Sequence, residues 1–280
     1  MAKIISGQYN TLLFHFISSD TLSSGYLFGT MHVNDDRAFT FYNQAKAFID
    51  RCNIHASEVD LNVPTDYDMA SMLQMRDGAL SDLLSDHHYK KVQRVLLKSF
   101  DLDITPFDKM VPLLIVNRLT EMILSDGLYT TPLDLKLWEY AMSRGKQTVG
   151  LEDFSTHFNV LHKIPYNEQA RALYKMSKNI SAFRRSIIRL SEAYKAGDIR
   201  TLYKKSKASL GKMKKIMLHD RNEIMYDSIV KLAHRNRLFA AVGAAHLSGN
   251  QGLLARLKRN KFKVTPIYAS SFPIGRMEEE

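Results

Sequence analysis

Short apolar runs that stop at turns, separated by long helical stretches, leave this chain few architectures. "GYLFGT" (25–30), "NIHASEVD" (53–60), "QTVGLE" (147–152) and "RLFAAVGAAH" (237–246) read as strands. "TLLFHFI" (11–17) is placed to pair with the first of these across the turn at 18–24, and "KVTPIYA" (263–269) comes last. Pro266 in that final run favours a sheet edge, because proline cannot donate to a ladder.

Helices fill the spaces between. "FTFYNQAKAFIDRC" follows the first buried strand. "TPLDLKLWEYAMSRGK" offers Thr131 as N-cap, Pro132 at the first helical position and Gly145 as the stop. "NQGLLARLKRNKF" links the last two strands, an order that predicts a parallel pair with a right-handed crossover. Two stretches, 65–130 and 155–235, read as helical insertions, the second hinged where Gly197 stops one helix and Asp198 caps the next. The expectation is α/β: one domain over 1–280, with a central mixed, largely parallel sheet and flanking helices. Core segments at 10–64, 131–154 and 236–270 would carry a mainly helical cap formed by the two insertions.

Composition excludes several classes. At 45% hydrophobic and 24% charged, the chain is an ordinary globular protein. No window approaches the roughly 18 apolar residues of a membrane span. The opening residues lack a cleavable leader, which predicts a cytoplasmic protein, or an extracytoplasmic one if a leader has been removed. Cys52 is the only cysteine, so an intrachain disulfide and a cysteine zinc cluster are both excluded; it reads as a small core residue. The net charge of +10 is concentrated: residues 171–221 hold fifteen Lys/Arg against three Asp/Glu. That segment carries no recognised nucleic-acid motif and no specific nucleic acid is predicted. It reads as a solvated helix face, or as a rim that draws acidic peptides or an anionic surface.

Ligands of open α/β sheets bind beyond the carboxyl ends of the strands. Those ends carry His32, Glu58, Glu152 and His246. "GTMH" and "GAAH" repeat one spacing, Gly-x-x-His, and the glycine would let the chain turn sharply so that the ring points back over the sheet. Imidazole with carboxylate suits Zn, Mn, Fe or Co, with room for an activated water. Thr30 would place a hydroxyl nearby. In "HDRNEIM", Asp220 and Glu223 resemble a capping box, which would put Arg221 and Asn222 in the first turn of a helix, beside free N–H groups. Simpler readings stand beside these. His32 could bond a loop carbonyl, Glu58 could pair with a surface lysine, Glu152 with Asp153 could cap a helix, and Arg221 and Asn222 could merely begin one. The remaining histidines, His87 and His88 included, read as solvated.

"YLFGTMH", "EVDL", "TPLDLKLWEYAMSRGKQTVGLED", "RNEIM" and "LFAAVGAAHLSGNQGLLARLKRNKFKV", in this order, resemble the TraB/GumN family, which includes the Tiki proteases. The resemblance implies a fold related to erythromycin esterase and the haem-binding ChaN-like proteins. It also implies a metal-dependent peptidase using Mn or Co, Zn being a further choice. His32 and His246 match the paired motif histidines, Glu58 the intervening glutamate, Arg221 and Asn222 the polar pair, and Glu152 the "LE" after the third strand. On this reading His32, His246 and a carboxylate of Glu58 or Glu152 hold the metal. A metal-activated water attacks a peptide or protein substrate, a glutamate takes its proton, and Arg221 and Asn222 steady the oxyanion. The alternative is a non-enzymatic binder that sequesters a peptide, or haem with His32 or Tyr26 as axial ligand.

Overall fold

The computed structural model describes residues 10–20, 23–62, 68–125 and 127–268. The expected start of the first insertion at 65 and the ends of the last strand and of the core, at 269 and 270, lie outside the described residues.

Six strands form one sheet: β1 (Leu13–Ser18), β2 (Ser24–Thr30), β3 (Ile54–Val59), β4 (Gln147–Glu152), β5 (Leu238–Gly243) and β6 (Phe262–Ile267). Their order is β4-β3-β5-β2-β1-β6. β4, β3, β5 and β2 run parallel, and β1 is antiparallel to both β2 and β6. This is the mixed, largely parallel α/β sheet that the strand pattern predicts. β6 lies at the edge, as Pro266 requires, but it does not pair with β5. The β1–β2 hairpin already occupies the side of β2 away from β5, so the strand arriving from β5 is carried beyond it and docks on β1.

Helix α1 (Tyr42–Ile49) follows β2, after a 3-10 turn. The first insertion holds α2 (Met69–Leu73), α3 (Leu80–Leu83), α4 (Asp86–Phe100) and α5 (Pro112–Ile123). α6 (Leu133–Ser143) leads into β4. It begins one residue later than expected: Pro132 is extended and occupies the N-cap position, so Thr131 caps nothing. Gly145 does end it, with φ +66. The second insertion contains α7 (Phe154–His162), α8 (Tyr166–Lys178), α9 (Ile180–Lys195) and α10 (Ile199–Leu210), then a π-helical stretch, Lys215–Asp220, that runs into α11 (Arg221–Ala233). Helix α12 (Leu253–Arg259) joins β5 to β6. Gly197, with φ +68, and Asp198, whose carboxylate accepts from the Thr201 amide, make the hinge between α9 and α10 as expected.

The main core is the sheet with α1, α6, α11 and α12. The first insertion packs chiefly on α8 and α9, around Leu80, Val92, Leu96, Ile115, Leu119 and Leu173. The second insertion is tied to the strand ends. The buried Tyr194 hydroxyl of α9 donates to the Gly29 carbonyl at 2.8 Å, Ser191 donates to Asp35 at 3.2 Å, and Arg37 bridges Asp35 and Glu192. These bonds seat α9 over the carboxyl end of β2. Among the described residues no helix is long and apolar enough to cross a membrane. Cys52 is buried, and burial pushes its thiol up to about 12.

The solvated reading fails for three histidines. His162 bonds the Tyr166 hydroxyl and the Met72 carbonyl, and His157 belongs to the site described below. His55 is completely buried on β3, stacked on Phe239 and edge-on to Trp138. Alternation along a buried strand put it there, and one histidine in an apolar run carries no mark of its depth. Burial pulls its pKa down from 6.5 to about 4. The unfolded chain therefore binds a proton between those values that the fold excludes. The associated stability is complete above pH 6.5 and falls as pH drops towards 4, by about 3 kcal/mol per such group. His246 has the same depression. Urea unfolding of His55→Phe between pH 7 and 4 should show a smaller loss of stability than the wild type does.

Candidate active site at the strand ends

β3 and β5 pair over only three positions, Ile54 to Ala56 against Leu238 to Ala240. β5 keeps its pairing with β2 to Gly243, and β3 keeps its pairing with β4 to Val59. Beyond Ala56 the two central strands therefore part, and the gap is filled by a side chain. The Gly243 amide, left without a strand partner on that side, donates to Glu58 Oε1 at 2.6 Å.

The motif glycines act by leaving room, not by turning the chain. Gly243 has φ −52, and Gly29 is not among the positive-φ residues. A Cβ on Gly243 would lie 2.9 Å from Glu58 Oε1, and one on Gly29 would lie 2.7 Å from Leu247 and 3.1 Å from the Ala244 backbone. The expected sharp turn is thus replaced by close approach, the other property that only glycine supplies.

Around Glu58 the sequence-predicted residues assemble. Its Oε1 is 3.7 Å from His246 Nε2 and 3.9 Å from His32 Nε2; its Oε2 accepts from Arg221 Nη2 at 2.6 Å. Each imidazole is held from behind. Asn222 donates through Nδ2 to the Gln251 carbonyl, which turns its Oδ1 towards His246 Nδ1 at 2.7 Å. His246 is buried, and burial brings its pKa to about 4, so the ring is neutral, with its proton on Nδ1 and a lone pair at Nε2. His32 Nδ1 lies 2.8 Å from Asp134 Oδ2, and that carboxylate lifts the ring well above its usual pKa. The His32 side chain is 59% exposed, so the site opens to solvent beside it.

Arg221 is buried between two glutamates. It reaches Glu58 through Nη2 and clasps Glu152 through Nε and Nη2 at 2.7–3.1 Å; His157 Nδ1 completes the cluster, 3.1 Å from Arg221 Nη2 and 3.3 Å from Glu152 Oε2. Burial works against ionisation of Glu58, but Arg221, His246 and His32 together hold it well below the ordinary range. His157 and Arg221 likewise outweigh burial at Glu152. Both Glu152 oxygens serve Arg221, and Glu152 does not line the cavity. It stands behind the arginine rather than beside the imidazoles.

The capping box expected at Asp220 is not formed. Asp220 is helical, makes no cap, and pairs with Lys215 at 2.7 Å, because the π-helical turns before it continue into α11. No free helix start exists there. The wide turns instead deliver Arg221 and Asn222 inward from consecutive positions, a use of π-helix common at functional sites. Asp153 does cap α7, through the Thr156 amide.

Sequence reasoning missed Asp134 and His157. Asp134 sits in the first turn of α6 and reads as a helix-start acid. His157 had no motif around it. The signal for Asp134 was the rule that a site histidine has an acceptor on its other nitrogen.

Above the polar floor lies a cavity of about 250 Å³. Thr30, His32, Glu58, Arg221, Gly243 and His246 line its base, and Leu190, Tyr194, Leu202, Leu210, Met217 and Leu218 its walls. The walls come from the second insertion. The buried Thr30 hydroxyl has no hydrogen-bond partner among the described residues. Tyr26 packs on Phe48 and His15, away from the cavity.

Among the described residues, no group of three or more His, Cys, Asp or Glu is spaced as a ready cation cage. The donor chemistry at Glu58 nevertheless fits a cation. Two imidazole Nε2 atoms face one carboxylate oxygen; His246 is fixed by a hydrogen bond at Nδ1, and His32 has the Asp134 carboxylate 2.8 Å from its Nδ1.

The fold and this floor define a class: an α/β protein with a histidine–glutamate site where two parallel strands part. Residues 13–266 match the TraB/PrgY/gumN family, and the chain belongs to that family. No curated protein and no solved structure matches it.

Removing Arg221 would leave two buried glutamates facing each other. Arg221→Met should lower stability by about 3–5 kcal/mol at pH 7, measured by urea unfolding, with a smaller loss at pH 4, where the glutamates can take protons.

Proposed function

We propose that this protein is a metal-dependent hydrolase that acts as a peptidase. The observation that carries the reading is the convergence of His32 Nε2 and His246 Nε2 on Glu58 Oε1, each ring anchored through its other nitrogen. These three residues would hold a divalent cation, Mn or Co on the family resemblance and Zn on donor chemistry alone. Such a cation supplies Lewis acidity and lowers the pKa of a bound water.

The chain's own groups have distinct tasks. Arg221 keeps Glu58 anionic, which suits a ligand and makes it a weak base. Arg221 itself is spent on two carboxylates, so it positions Glu58 rather than steadying an oxyanion. Asn222 sets the His246 tautomer, and Asp134 orients His32. The apolar walls exclude water and accept a side chain next to the scissile bond.

Elemental analysis and peptide digestion test this together. Purified wild-type protein should bind about one Mn or Co and release peptide fragments only in its presence. His32→Ala and His246→Ala should each lose the metal and at least 100-fold in turnover while melting like the wild type. Fragments at undiminished rate from both variants would refute the assignment. Intact peptide held tightly by metal-loaded protein would favour sequestration instead.

Asp134→Asn keeps the shape but weakens the acceptor behind His32. Metal affinity, measured by competition with a chelating dye, should fall about 10- to 100-fold.

A further inference from the structure

Helix α10 carries two different surfaces on its last turns. Leu202, Ser206 and Leu210, at i, i+4 and i+8, line the cavity above the site. Lys204, Lys207 and Ala208, with Gly211, Lys212 and Lys214 just beyond the helix, line a shallow basin of about 720 Å³. Among the described residues none of these four lysines is in an ion pair, whereas neighbouring Lys215 is held by Asp220. The basin is therefore a concentration of uncompensated positive charge within about one helical turn, ~5.4 Å, of the cavity wall.

The two pockets differ in what they can take. The cavity, about 250 Å³ and walled by leucines, a methionine and a tyrosine, has room for one large apolar side chain. The basin is lined by four lysines with Ala208 and Gly211, and the lysines' ammonium groups are satisfied by carboxylates. An extended peptide advances ~3.3–3.6 Å per residue, so a few residues of one chain span a helical turn, the spacing along α10 between residues that line the cavity and residues that line the basin.

Resting on the peptidase reading, we propose that the substrate is an acidic peptide. It would seat a large apolar residue over the histidine–glutamate floor and lay a run of Asp or Glu, a few residues along, across Lys204, Lys207, Lys212 and Lys214. The charge complementarity is local. Outside residues 171–221 acidic side chains slightly outnumber basic ones, so the attraction is directed to this rim and not to the molecule at large.

Calorimetric titration of the full chain tests this without relying on cleavage. Three synthetic decapeptides share a Leu-Phe centre and differ in one flank, which is Asp/Glu, Asn/Gln or Lys. The acidic peptide should bind at least tenfold tighter than the neutral one at about 50 mM salt, and most of that advantage should vanish by about 500 mM. Replacing its Leu-Phe with Ala-Ala should cost a further tenfold. The triple variant Lys204→Glu/Lys207→Glu/Lys212→Glu, checked for unchanged melting, should reverse the preference towards the basic peptide. Equal binding of all three peptides, or an acidic preference that survives charge reversal, would overturn the proposal. So would vesicles rich in anionic lipid that bind wild type, not the triple variant, and are not displaced by the acidic peptide. Charge-selective binding without cleavage in the presence of Mn upholds the recognition of an acidic peptide at this rim and sinks both the hydrolase reading and the peptide's role as substrate. Cleavage without charge selectivity does the reverse.

Discussion

One buried guanidinium holds the parts of this molecule in register. Arg221 begins α11, reaches Glu58 on β3 and Glu152 on β4, and so ties the end of the second insertion to two adjacent strands. A planar, permanently charged fork bonded to two carboxylates in a desolvated place is intolerant of displacement. Losing one partner would strand charge where water cannot reach it. Because Arg221 fixes one Glu58 oxygen, the other is left at a defined point between Gly243 and the two imidazoles. The site is the consequence of that constraint.

The parting of β3 and β5 supplies the space. Parallel strands normally satisfy each other's backbone to the end, and here the ladder stops at Ala56. The cost of an unpaired Gly243 amide is met by a carboxylate, a stronger acceptor than the carbonyl it replaces. The absence of a Cβ at Gly243 admits that carboxylate, and the absence of one at Gly29 admits the turn carrying His246. The repeated Gly-x-x-His spacing thus records a packing requirement at two strand ends.

Both insertions are needed for different reasons. The first builds a helical cluster with α8 and α9, and the second lines the cavity and presents the lysine basin. Tyr194 and Ser191 fasten α9 to the end of β2 and to the loop after it. The apolar walls therefore stand in a fixed relation to His32 and His246, which makes the cavity a selective space.

Strand-forming runs, the edge position set by Pro266, the α9–α10 hinge and the meeting of His32 and His246 with a strand-end glutamate, Glu58 or Glu152, were all legible in the sequence. Each rests on local signals: apolar continuity, a missing amide, a glycine stop, or a histidine placed after a strand. The family resemblance came from the same local motifs. Other features follow from contacts between distant residues and leave no local mark. Arg221 meets Glu58 across 163 positions, and it belongs to a salt-bridge cluster because the π-helical turns carry it inward past a capping box that never forms. Asp134 looked like an ordinary helix-start acid until the fold brought His32 against it, and His157 and His55 gave no sign of their burial. Sequence alone determined which elements exist and which side chains stand at their ends, because those depend on neighbours along the chain. Only the tertiary structure decided which acid faces which base and where β6 docks, because those depend on which surfaces remain free once the other strands have paired.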